Sequence, residues 1–133
     1  MSATINLEKF CQYFGTTNVF ETKRQANAVK IEHVDRSPTL YPIAVVAMVR
    51  HIVMNKPKGH ILVFMTSVRE IEETCVVIRK QLPKIKVLSM YSSLPKYAQD
   101  MATRGSTTQM CIVSTNVAES SLTIPGVAYV VGM

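Results

Sequence analysis

The chain has no tryptophan, no CxxC pair and no apolar run long enough to span a bilayer. Its three cysteines, Cys11, Cys75 and Cys111, are odd in number and far apart, with no histidine at zinc-finger spacing. Neither a disulfide framework nor a structural metal is indicated, and reduced core thiols are the expectation. The most apolar stretch, Ile43 to Val49, is broken by Arg50 and His51, well short of the ~18 or more residues that suggest a membrane span. Met1 is followed directly by Ser-Ala-Thr-Ile, without the basic start and apolar core of a secretory signal. An intracellular location, nucleus or cytoplasm, is therefore expected. Acidic charge is also scarce: 9 Asp and Glu against 15 Lys and Arg leave a net charge of +6. That surplus suits polyanionic partners such as RNA but also occurs on inert surfaces. The basic residues are spread along the chain, so folding must assemble any phosphate-binding surface.

What is present is enough for one domain: 133 residues, 47% of them hydrophobic. Asn6 can cap a helix from Leu7 to about Phe14 whose Leu7, Phe10, Cys11 and Phe14 share a face expected to enter the core. Val19-Phe20 and the alternating segment Ala28 to Val34 read as short extended segments. From Pro42 to about Asn55 the pattern is a helix apolar nearly all round, as for one packed on more than one side. Ile61 to Met65, Ile85 to Met90, Met110 to Val113 and Val127 to Val131 read as buried strands. A helix over Val68 to Leu82 presents Ile71, Cys75, Ile78 and Leu82 as one stripe, and Pro95 opens a shorter helix to about Thr103. Strands separated by helices of this length predict an α/β fold, a parallel sheet with helices on both faces. In such a fold the functional loops lie beyond the strand carboxyl ends. Thr66-Ser67 and Ser114-Thr115-Asn116 occupy those ends. Taken alone, these residues read as a helix cap and a polar turn. His33, His51 and His60 have no ligand-like partners in sequence.

The string Ser114-Thr115-Asn116-Val117-Ala118-Glu119-Ser120-Ser121-Leu122-Thr123-Ile124 resembles the fifth motif of DEAH-box RNA helicases. Ser2-Ala3-Thr4 is similar to the third motif, the linker between the two RecA-like lobes of that family, here residues 1–5. Ile61 to Ser67, followed by Arg69-Glu70-Ile71-Glu72, is similar to the fourth motif, and Tyr91-Ser92-Ser93-Leu94-Pro95 to the segment between the fourth and the fifth. The resemblance implies an incomplete second RecA-like lobe of an ATP-dependent RNA helicase. It further implies that Thr66, Ser67, Thr115 and Asn116 grip single-stranded RNA, that Ser121, Thr123 and Glu119 face the nucleotide, and that Ser2 and Thr4 couple nucleotide state to closure against a first lobe. ATP and Mg2+ are implied for the intact enzyme. The sequence departs from the family at Pro125, where many members have Asp or Asn, at Thr103, where an adenine-stacking Phe is usual, and at Gly132, where an Asp usually follows the last strand. No GxxxxGK[ST] phosphate loop, acidic DEAH pair or arginine-rich sixth motif occurs, so this polypeptide alone is not expected to hydrolyse ATP or hold it tightly. The alternative reading is a stand-alone lobe that keeps the fold and perhaps RNA affinity without turnover, a non-catalytic RNA-binding or regulatory module.

Overall fold

The computed structural model describes residues 5–22, 27–33, 41–116 and 123–132, and the chain divides into two compact units, Met1–Asp35 and Arg36–Met133. In the first unit, helix α1 (Leu7–Phe14) starts where Asn6 Oδ1 accepts the Lys9 N–H at 3.2 Å. It ends at Gly15, whose φ of 61° favours a residue without Cβ. The expected burial of its apolar face does not occur: no residue of α1 is buried, and Phe10 and Phe14 are 48% and 66% exposed. Cys11 is accordingly half-buried and not a core thiol. A unit this small cannot enclose a core of its own. Val19-Phe20 and residues 28–33 are irregular instead of strands, and Val29 and Ile31 stand exposed. Alternation alone gives no strand where no neighbouring ladder takes up the backbone groups. Lys30 and Glu32 pair across one such alternation at 2.7 Å in an exposed position.

The second unit follows the βα pattern closely. Helix α2 (Tyr41–Asn55) leads through Lys56-Pro57-Lys58-Gly59 to strand β1 (His60–Phe64), then α3 (Val68–Gln81), β2 (Lys86–Met90), α4 (Lys96–Thr103), β3 (Met110–Ser114) and β4 (Val127–Val131). All pairings are parallel, in the order β2-β3-β1-β4. Parallel strands buried on both faces need apolar residues along their length, and β1 and β3 have them from Ile61 to Phe64 and from Met110 to Val113. Ile61, Val63, Val87, Cys111 and Val113 point to the α2–α3 side, whereas Leu62, Met90, Met110 and Ile112 meet Ala102 of α4 on the other. Helices therefore cover both faces, the RecA-like α/β arrangement. The α3 stripe Ile71, Cys75, Ile78 and Leu82 is buried throughout.

Helix α2 departs from expectation in one respect. Val45, Val49 and Ile52, at helical spacing, are buried with Val46, but Ile43 and Met54 remain 64% and 66% exposed. Ile43, Val46, Ala47 and Met54 line an open groove of about 510 Å³ against α3, whereas Met48 and Val53 pack against the core, so among the described residues only part of the helix circumference is covered.

Gly59 sets the approach of β4 to β1. A Cβ there would stand 2.5 Å from the Ala128 Cβ, beside the point where the register slips so that His60 faces Val127 but Ile61 faces Tyr129. Gly59→Ala is expected to cost about 2 kcal/mol in urea unfolding through the forced displacement. Gly132→Ala, whose Cβ would lie 3.9 Å from the Phe64 Cβ in ordinary contact, should be close to neutral.

Candidate nucleic-acid interface

Because every strand runs the same way, the segments that leave β1, β2 and β3 emerge at one edge of the sheet. Phe64 pairs with Ser114 at the end of the β1–β3 ladder, and two further bonds extend it into the loops: Met65 N–H to Ser114 O at 2.8 Å and Thr115 N–H to Met90 O at 3.2 Å. The structure thus brings Thr66-Ser67 and Thr115-Asn116 to the ends of neighbouring strands, as the sequence implies. Met65 is buried and anchors the first pair, and Ser114 is buried and anchors the second by donating its hydroxyl to Thr115 O at 2.7 Å. Thr115 is half-buried and Asn116 exposed. Among the described residues neither side chain makes a hydrogen bond, so both can serve a ligand.

The other pair is engaged locally. Ser67 caps α3, its Oγ accepting the Glu70 N–H at 3.3 Å. Thr66 Oγ1 donates to Glu70 Oε2 at 2.6 Å, a short charge-assisted bond. Beside them, Arg69 and Glu73 form an exposed i,i+4 pair at 3.0 Å. Tyr91, at the exit of β2, is held above its ordinary range by burial against the first core cluster, and then by a hydrogen bond to Glu72 and that carboxylate's charge. Around Thr66 and Thr115 this edge presents hydroxyls, an amide and carboxylates, with Arg69 paired to Glu73 and the exposed Lys96 opening α4.

Thr123 is exposed in the connection to β4, with no described hydrogen bond to Thr66 or Thr115. Ser2, Thr4, Glu119 and Ser121 lie outside the described residues. Of the three departures, Thr103 ends α4 with its hydroxyl donating to Asp100 O at 3.0 Å. Helix α4 runs back from the carboxyl edge, so Thr103 lies toward the amino edge. Gly132 follows β4 beside Phe64, and Pro125 stands in the turn before β4, where it faces Gly105.

Sequence reasoning missed His60, which no motif or spacing marks. It stands at the amino edge, where its Nδ1 accepts the Met110 N–H at 3.0 Å, and next to it Gln109 donates to Gly59 O at 2.8 Å. Both bonds close backbone groups at the open end of the sheet, a structural role. Lys56, Lys58, Lys84 and Lys86, all exposed, flank that same edge.

A scan against protein families matches residues 44–133 to the helicase conserved C-terminal domain. The chain belongs to this family, and its sheet, its helices and its strand-end loops are those of a helicase C-terminal lobe. It is 31% identical over 141 residues to the pre-mRNA-splicing factor ATP-dependent RNA helicase prp22 of Schizosaccharomyces pombe, covering 98% of this chain and 12% of that protein. It is 30% identical over 141 residues to the putative ATP-dependent RNA helicase L540 of Acanthamoeba polyphaga mimivirus, covering 98% of this chain and 20% of that one. The chain therefore spans a small part of the length of the relatives it matches. No helix among the described residues is long and apolar enough to cross a membrane.

Proposed function

We propose that the chain is the second motor lobe of a DEAH-box-type ATP-dependent RNA helicase, supplying half of an RNA track and half of a nucleotide cleft. The observation that carries this reading is the convergence of Thr66-Ser67 and Thr115-Asn116 at the ends of two adjacent parallel strands. A motor that tracks a strand regardless of sequence needs small polar groups aimed at phosphate and sugar, not a reader of base edges. The names of both relatives support RNA as that strand. Residues 1–133 then belong to that one lobe, with residues 1–5 as its linker, acting inside the cell.

In this reading Thr123, with Ser121 and Glu119, borders the nucleotide, and Ser2 and Thr4 transmit closure against the first RecA-like lobe. The described residues hold no group of three His, Cys, Asp or Glu side chains suited to a metal, and the sequence holds no phosphate loop. ATP and Mg2+ belong to the intact enzyme, where ATP supplies the energy for the stroke, and neither is expected to bind tightly to this chain alone. This lobe's own work is to hold the RNA backbone while the two lobes open and close. Pro125, Thr103 and Gly132, none carrying the side chain usual in the family, favour the second reading, a lobe that retains RNA affinity without turnover.

Binding of a fluorescent single-stranded RNA across a salt series tests the track. The expected result is preference over an equally long DNA duplex, affinity that falls as salt rises, and a loss of roughly 10-fold in Thr115→Ala. RNA binding indifferent to Thr115 would remove the half-track assignment.

A further inference from the structure

The hydroxyls of Thr66 and Ser67 are neighbours in sequence but present opposite hydrogen-bonding polarity. A hydroxyl has one proton and two acceptor lone pairs, whereas an ionised carboxylate can only accept. In the 2.6 Å contact with Glu70 Oε2, the proton therefore belongs to Thr66 and is committed to Glu70. What Thr66 offers outward is lone pairs. Ser67 is the reverse: its oxygen accepts the Glu70 N–H at 3.3 Å, and among the described residues its proton has no acceptor. What Ser67 offers outward is a donor. Glu70 sets both polarities, one through its side chain and one through its backbone.

From this geometry, and resting on the RNA-track reading above, we propose that Thr66 reads the ribose 2′-hydroxyl while Ser67 holds a phosphate, with Glu70 as the positioning residue that makes the lobe distinguish RNA from DNA. A phosphate diester at neutral pH carries no proton and cannot donate to Thr66, and at that atom it would meet the Glu70 carboxylate charge. The 2′-hydroxyl is neutral, can donate, and is the group that DNA lacks. Ser67, with its proton free, suits the acceptor-only phosphate oxygen. Both side chains are exposed, so a strand lying along this edge reaches them without rearrangement of the core. The inference alters the sequence-based expectation for Thr66, which there grips the backbone without regard to the sugar.

The test compares single-stranded RNA, DNA of the same sequence, and 2′-O-methyl RNA, which keeps the ribose oxygen but cannot donate. The unmodified chain is expected to bind RNA more tightly than either of the other two. Thr66→Val, equal in shape, should weaken RNA binding by roughly 5-fold and leave DNA binding unchanged. Glu70→Gln brings an amide that can donate to Thr66 and so release its proton, and it should narrow the RNA-to-DNA ratio by raising DNA affinity. Ser67→Ala should weaken both polymers to the same degree. If Thr66→Val weakens RNA and DNA alike, or 2′-O-methyl RNA binds as well as RNA, the sugar-reading role is overturned while the track survives. Should neither polymer bind, or should Ser67→Ala and Thr115→Ala both leave binding unaltered, the track reading falls and this proposal falls with it.

Discussion

Ile71→Ala is expected to lower the stability of the chain by about 3–4 kcal/mol, and to weaken RNA binding at temperatures where the remaining protein is still folded. Ile71 is fully buried between α3 and the sheet, among Val63, Cys75 and Cys111 in the first core cluster. Truncation removes several methyl and methylene groups and leaves a cavity that a parallel sheet of β-branched residues cannot easily collapse into. The position also matters for the interface, because the Ile71 N–H bonds Ser67 O at 3.1 Å in the first turn of α3. Loosening this anchor displaces Ser67 and Glu70 together, and with them the orientation of Thr66. Urea unfolding measures the first effect. The control is Val76→Ala on the same helix, 45% exposed, which should change stability little.

The second large effect is with pH. Burial pushes the Cys75 thiol up to about 11, and burial, with the nearby Cys75, pushes Cys111 up to about 12. The folded chain therefore keeps protons that the unfolded chain releases near its ordinary value of 9.0. Stability from these two groups is complete below pH 9 and is lost as pH rises through 11 and 12. The loss is on the order of 3 kcal/mol for each thiol at the top of that window. A chain carrying Cys75→Ala and Cys111→Ala starts less stable but should lose much less between pH 9 and pH 11. Parallel alkaline profiles for the two chains would contradict the assignment. The same burial predicts that an alkylating reagent at neutral pH modifies half-buried Cys11 first, and Cys75 and Cys111 only on unfolding.

The second unit was legible in the sequence because its signals agree with one another. The run Ile61-Leu62-Val63-Phe64 is apolar at every position and can be satisfied only by cover on both faces, and the stripe Ile71-Cys75-Ile78-Leu82 can be satisfied only by a helix against that sheet. These constraints by themselves place Thr66 and Thr115 at one edge of the sheet. The face of α1 and the alternation of Val29 and Ile31 have the same local form but are not buried by the described residues, and periodicity says nothing about whether a partner exists. The polarity of Thr66 was hidden for a different reason. A Ser/Thr pair followed by Glu fits a phosphate grip and a capping box equally well, and only the 2.6 Å bond shows where the Thr66 proton goes. His60 was silent because it closes a backbone group fifty residues away in sequence, a contact that no local spacing encodes.

In the proposed reading the RNA face is the carboxyl edge of the sheet, where Thr66-Ser67 and Thr115-Asn116 stand together. It is tested most directly by titrating single-stranded RNA into the isotope-labelled chain and following each backbone amide by nuclear magnetic resonance. The largest changes are expected to fall together on Thr66, Ser67, Thr115 and Asn116, with Lys58, His60 and Gln109 little affected. Changes centred instead on Lys58, Lys84 and Lys86 at the opposite edge would show that charge, not the strand-end hydroxyls, places the RNA, and would overturn the carboxyl-edge assignment.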